Sequence, residues 1–167
     1  MKIGIISDTH DNLWRLEEAI PHLQQTEAVI HCGDLISPFM VHSLGKGMAG
    51  KPVHMVWGNN DGDKRAVSKV AEGYEGFHIY GEFADLQLGD LRIAVNHFPE
   101  IGRSLAQSDL YGLVCYGHDH TAYNDMIGKT LLLNPGEIMG LFGTSSFVIL
   151  ETKTMVFEQI TIWTEEA

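Results

Sequence analysis

The chain has 167 residues and a formal net charge of −11, with 22 acidic side chains against 11 basic ones. That balance argues against non-specific binding to a nucleic-acid backbone, which needs clustered lysine and arginine, but not against a small anionic substrate, because a bound cation can reverse the local field. The 44% hydrophobic and 20% charged fractions suit one ordinary globular domain, residues 1–167, with a sizeable core.

The first predicted element is a strand. Lys2-Ile3-Gly4-Ile5-Ile6 is a short apolar run rich in β-branched residues, and it reads as buried. It runs directly into Ser7-Asp8-Thr9-His10, where Asp8 and His10 can point the same way from the strand end. Asp11 or Asn12 can cap a helix whose apolar face is Leu13, Leu16, Ile20 and Leu23, with Pro21 expected to kink or split it. Ala28 to Cys32 reads as a second buried strand, ending in Gly33-Asp34. Ser37-Pro38 signals a helix start, and Gly45 and Gly47 are expected to stop that helix. Val53 to Trp57 is a third strand, ending in Gly58-Asn59-Asn60-Asp61, and Asp63 can cap a helix carrying Val67, Val70 and Ala71.

The pattern then changes. Phe83 to Leu88 and Leu91 to Val95, joined by Gly89-Asp90, read as a β-hairpin that ends in Asn96-His97. A short helix around Ile101 to Ala106 leads to the buried strand Leu113 to Tyr116 and then to Gly117-His118-Asp119-His120. Two hairpin-like units follow. One turns near Gly128 and ends in Asn134-Pro135-Gly136-Glu137; the other pairs Ser146–Leu150 with Met155–Thr161. Strand–helix alternation followed by hairpins predicts a mixed α/β sandwich rather than a purely parallel doubly wound sheet.

Cys32 and Cys115 sit inside apolar runs and read as buried free thiols of a reducing cytoplasm. The start of the chain has no signal-peptide pattern and no stretch approaches membrane-spanning length, so the expected location is cytoplasmic, with no membrane partner. Trp14, Trp57 and Trp163 read as packing residues, and Arg103 as part of a solvated helix face.

Ligand-type side chains recur where strands or hairpin arms end: Asp8 and His10, Asp34, Asn59, His97, His118 and His120. Sites in open α/β sheets form outside the carboxyl ends of strands. Singly, each residue also has a structural reading: Asp8 as a helix cap, Gly33-Asp34 and Asn59-Asn60-Asp61 as turns, His97 as a core histidine. Together they are too many for one tetrahedral zinc and suit two ions sharing a carboxylate.

Asp8-Thr9-His10, Gly33-Asp34, Gly58-Asn59-Asn60-Asp61, His97 and Gly117-His118-Asp119-His120, in this order, resemble the motifs of the calcineurin-like metallophosphoesterases. The small size, Gly58-Asn59-Asn60-Asp61 and Asn134-Pro135-Gly136-Glu137 most resemble the compact YfcE-like phosphodiesterases. The resemblance implies a four-layer α/β/β/α sandwich of two facing mixed sheets. It implies one metal on Asp8, His10, Asp34 and His120, and a second on Asp34, Asn59, His97 and His118, with Asp34 shared. Asp8, Asp34, Asn59 and His97 would be the catalytic set, and Asn60 a substrate contact.

Two divalent ions about 3.5–4 Å apart can activate water, orient phosphorus and stabilise a leaving oxygen, lowering the pKa of bound water from about 15.7 towards about 7. The ligand types suit Mn²⁺ first, with Ni²⁺, Co²⁺, Fe or Zn²⁺ as alternatives. Many relatives carry a histidine at the position of Asn60, which cannot supply a proton at neutral pH; general-acid help of about 10²–10⁴-fold is therefore expected to be missing. Phe98-Pro99 stands where relatives often have glycine after the histidine, which alters the substrate mouth.

The expected activity is metal-dependent hydrolysis of a small phosphodiester. The alternatives are a phosphomonoesterase or nucleotide phosphatase using the same site, and a non-catalytic interaction scaffold resembling a retromer subunit of this fold. A homo-oligomer is compatible with the sequence.

Overall fold

In the computed structural model, which describes residues 1–165, the first strand sets the plan. Ile3 and Ile5 of β1 (Lys2–Ile6) point into one apolar layer and Ile6 into another, all fully buried. Successive side chains leave a strand on opposite faces, so a strand apolar at nearly every position must be covered on both sides. β2 (Ala28–His31) repeats the arrangement: Ala28 and Ile30 join Ile3 and Ile5, while Val29 joins Ile6.

β1, β2, β3 (Val53–Met55) and β4 (Phe77–Ile79) run parallel. β10 (Thr144–Glu151) pairs antiparallel with β1, and β11 (Phe157–Thr164) with β10, giving the order β11-β10-β1-β2-β3-β4. The second sheet has the order β5-β6-β7-β9-β8. Its β6 (Leu91–Asn96), β7 (Leu113–Cys115) and β9 (Thr130–Asn134) are parallel, and β5 (Phe83–Leu88) and β8 (Tyr123–Ile127) are antiparallel edges.

Ile3, Ile5 and Ile30 from the first sheet meet Ile93, Leu113 and Leu133 from the second in a dry layer between the sheets. The outer face of the first sheet is covered by α1 (Leu13–Leu23), α2 (Pro38–Met48) and α3 (Lys64–Ala71), which bury Leu16, Leu44 and Val67 against it. α4 (Pro99–Gln107) covers the second sheet through Ala106, against Val114 and Leu132. The layers are α/β/β/α, as the motif resemblance implies. Cys32 and Cys115 are both buried and free. Among the described residues no helix is long and apolar enough to cross a membrane.

Three local expectations change, and one strand is not among those read from the sequence. α2 runs through Gly45 and Gly47 and ends instead at Ala49, whose φ of 51° is left-handed. The two glycines serve packing: a Cβ at Gly45 would meet the Tyr74 ring at 2.6 Å, and one at Gly47 would meet Ile20 at 2.8 Å. α1 continues through Pro21, which lies in its last turn, so only one internal bond is lost and Gln24 N–H still donates to Ile20 O at 2.8 Å. β4 has three residues, of which only Phe77 is buried, too short for a readable alternation. Trp57 joins the core and Trp163 lies 4.6 Å beneath the Arg15 guanidinium, but Trp14, expected to pack, is 77% exposed at the start of α1.

Candidate metal centre

The parallel strands β1, β2 and β3 of one sheet and β6 and β7 of the other release their chains at the same edge of the sandwich. There the backbone bends sharply. Asp8, His10, Asp34, His118 and His120 all have positive φ, between 40° and 77°, a region that costs an L-residue roughly 1–2 kcal/mol and that Asp and His tolerate better than most. Cross-links hold these residues there: Asp8 N–H donates to Gly33 O and His10 N–H to Asp34 O, each at 3.1 Å. Strained backbone held by its surroundings is a mark of functional sites.

Close approach explains the neighbouring glycines. A Cβ at Gly58 would strike the Asp34 carboxylate, and one at Gly117 would strike Ser7 Oγ and Asp8 Oδ2. Asp8 is not a helix cap; Asn12 Oδ1 accepts from Arg15 N at 3.2 Å and takes that role.

The structure brings all seven expected ligand side chains together. Asp8 Oδ1 lies 3.6 Å from His10 Nε2 and 3.4 Å from His120 Nε2. Asp34 Oδ2 lies 3.5 Å from His10 Nε2 and 3.4 Å from His97 Nε2. Asn59 Oδ1 lies 3.1 Å from His97 Nε2 and 2.8 Å from His118 Nδ1. Two compact groups result: ligand atoms of Asp8, His10 and His120, and of Asp8, Asp34 and His97, each lie within 4.8 Å of one another.

Asp8 Oδ1 and His10 Nε2 are buried with no hydrogen-bond partner among the described residues. Buried polar atoms without partners are costly, and these two face each other across the site. Oxygen and imidazole donors converging with unused lone pairs suit divalent cations. The residues therefore fit a metal pair.

A second layer orients the first. Glu137, only 1% exposed, takes His120 Nδ1–H on Oε2 at 2.6 Å, which leaves Nε2 as the free lone pair facing Asp8. His97 Nδ1–H donates to Cys32 O at 2.9 Å, which likewise turns Nε2 inward. Asp8 Oδ2 accepts from Ser7 Oγ at 2.5 Å and His118 N–H at 3.1 Å, so Oδ1 is the oxygen left over. Asp61, expected only as part of a turn, accepts backbone N–H bonds from Asp34, Leu35, Ile36 and Gly58 at 2.6–3.1 Å. Asn60 donates its backbone N–H to Asp34 Oδ1 at 2.7 Å and its amide to Oδ2 at 2.8 Å. Its side chain thus orients a carboxylate, a role the sequence did not suggest.

The charges follow this wiring. Burial raises the pKa of Asp34, but the His97 imidazole beside it and hydrogen bonds from Asn60 outweigh it and hold the carboxyl well below its ordinary value. Asp8 is likewise lowered, burial being outweighed by His10, Ser7 and nearby imidazoles. Burial works against charge on His10 and His97 as well, but Asp8 and Asp34 raise both. His31, fully buried beneath the site, behaves differently. Its Nδ1 accepts Gly33 N–H at 3.2 Å and its Nε2 meets Thr9 Oγ1 at 3.2 Å, and burial pushes it down to about 4.

The model of the calcineurin-like phosphoesterase superfamily domain matches residues 1–155 of this sequence. The chain belongs to that superfamily. A phosphodiesterase of Methanocaldococcus jannaschii is 32% identical over 97% of this chain and 99% of its own length. Among solved structures, an archaeal phosphodiesterase superposes with a TM-score of 0.88 at 32% identity, covering 96% of this chain and 99% of that one. The Escherichia coli phosphoesterase YfcE shares the fold, with a TM-score of 0.65 at 21% identity over 97% of this chain and 100% of that one. As a calcineurin-like phosphoesterase the chain is a hydrolase of phosphate esters, and its family works with divalent metal ions.

Proposed function

We propose that this protein is a phosphodiesterase that cleaves a small phosphodiester at a dinuclear metal centre held by Asp8, His10, Asp34, Asn59, His97, His118 and His120, with Asp34 common to both ions. The observation that carries this reading is the pair of buried atoms, Asp8 Oδ1 and His10 Nε2, that lack partners among the described residues and are aimed into a ring of further donors. When bound, the two ions supply an acidified water as nucleophile and positive charge for the phosphate oxygens. Mn²⁺ suits the mixed carboxylate, amide and imidazole donors, which include no thiolate. The cytoplasm, where both cysteines stay reduced, is the proposed location.

The chain's own groups do the rest. Asp8 and Asp34 stay ionised at neutral pH, because their hydrogen bonds favour the charged form. Glu137 and the Cys32 carbonyl fix which nitrogen His120 and His97 present. Asn60 holds the shared carboxylate and cannot protonate a leaving group, so esters of acidic alcohols should be cleaved fastest.

The test is hydrolysis of bis-p-nitrophenyl phosphate. It should be abolished by EDTA, restored by Mn²⁺ and reduced at least about 10²-fold in Asp34→Asn. Faster turnover of the monoester p-nitrophenyl phosphate would overturn the diester assignment. Inertness toward both by protein shown to hold two ions would favour a scaffold.

A further inference from the structure

Two phenyl rings stand at the rim of this site, and the ligand geometry requires neither. Phe98 lies 5.2 Å from the His97 ring and 5.1 Å from the His118 ring, steeply inclined to both. Phe142 lies 5.2 Å from the His120 ring, at 87°. One ring thus stands beside each group of ligands.

Both residues are anchored through their backbone N–H groups. Phe98 N–H donates to Asn96 Oδ1 at 2.8 Å, and Pro99 follows as the first residue of α4. Phe142 is 71% exposed, yet its N–H donates to Glu137 Oε1 at 2.7 Å. The other oxygen of that carboxylate holds His120, so one buried group holds both a candidate ligand and the backbone N–H of Phe142. A cavity of about 320 Å³ opens there between His120, Thr121, Phe142 and Thr144, a size that suits a small-molecule group. Aromatic rings beside a reacting centre, here one exposed (Phe142) and one half-buried (Phe98), offer edge-to-face or offset contacts to a second ring at about 4.5–7 Å, a geometry that aromatic pairs prefer.

We propose that Phe98 and Phe142 are the specificity-determining residues of this site and select phosphodiesters that carry an aromatic ester arm. The inference rests on the phosphodiesterase reading above. A diester carries two ester arms, and one of these rings lies beside each group of candidate ligands.

Two substrates isolate the effect. p-Nitrophenyl phenyl phosphate and p-nitrophenyl methyl phosphate lose the same leaving group and differ only in the arm that stays. Wild-type protein loaded with Mn²⁺ should favour the phenyl compound in kcat/KM, and Phe142→Ala and Phe98→Leu should each cut that ratio by about fivefold. Taking the ratio cancels any general loss at the metal centre. Calorimetric titration with diphenyl phosphate against dimethyl phosphate reads the same preference without turnover, and it should shrink in the same variants. Ratios and binding preferences unchanged in both variants would overturn the assignment. If wild-type protein cleaves neither substrate, the phosphodiesterase reading falls, and the binding comparison still decides the role of the rings.

Discussion

Glu137 and His31 are buried titratable groups beside the candidate ligands, and each leaves a measurable trace. Glu137 anchors the proton of His120, so Glu137→Gln should lower Mn²⁺ affinity about 10–100-fold while circular dichroism stays unchanged; wild-type affinity in a calorimetric titration would contradict that role. His31 is held neutral, at about 4 against an ordinary 6.5. Between those values the unfolded chain binds the extra proton, so stability is present above about 6.5 and falls as the pH drops towards about 4. The loss between pH 7 and pH 5 is about 2 kcal/mol. In urea titrations with EDTA, wild-type protein should lose about that much more than His31→Gln over this interval, and equal losses would remove His31 from the account. Asp8, His10, Asp34 and His97, by contrast, were legible as candidate ligands because each stands near the end of an apolar run. Glu137 and His31 were not, because their roles are defined by partners 17 and 22 residues away.

At the scale of elements, the loops after β2 and β3 form one unit through Asp61. Its carboxylate gathers N–H groups from Asp34, Leu35 and Ile36 on one loop and from Gly58 on the other. Asp61→Ala leaves these donors without their acceptor. Unfolding in urea should show a loss of about 3 kcal/mol or more, accompanied by weaker metal binding, since the unit carries both Asp34 and Asn59. A loss below 1 kcal/mol would mean that water replaces the carboxylate. Most elements could be read from apolar spacing and capping residues. The exceptions had tertiary causes. Glycine reads locally as a helix breaker, but in α2 the contacts with Tyr74 and Ile20 decide its use. The left-handed turns at five candidate ligand positions likewise depend on hydrogen bonds between loops that no single stretch of sequence contains.

For the whole molecule, two sheets face each other across an apolar layer, and this registers strand ends that lie far apart in the chain. His118 N–H reaches Asp8 Oδ2 across 110 residues. The candidate centre is therefore assembled only in the folded protein, so metal binding there would stabilise the fold by linkage. With free Mn²⁺ at about a hundred times its dissociation constant the gain is about 3 kcal/mol, or roughly 5–10 °C in Tm for a chain of this size. Thermal melts with and without EDTA should differ by that amount, and coincident melts would mean that the ions do not bind the native state selectively. The order of layers was legible because the strand–helix alternation and the ordered motifs agree. The pairing of β4 and the path of the chain around Phe142 were not, since neither carries a local periodic signal.

The most direct measurement is anomalous diffraction from crystals grown with Mn²⁺. Two peaks about 3.5–4 Å apart, with Asp34 between them, His10 and His120 on one and His97 and His118 on the other, are expected. A single peak, or two peaks with Asp34 bound to neither, would contradict the dinuclear centre.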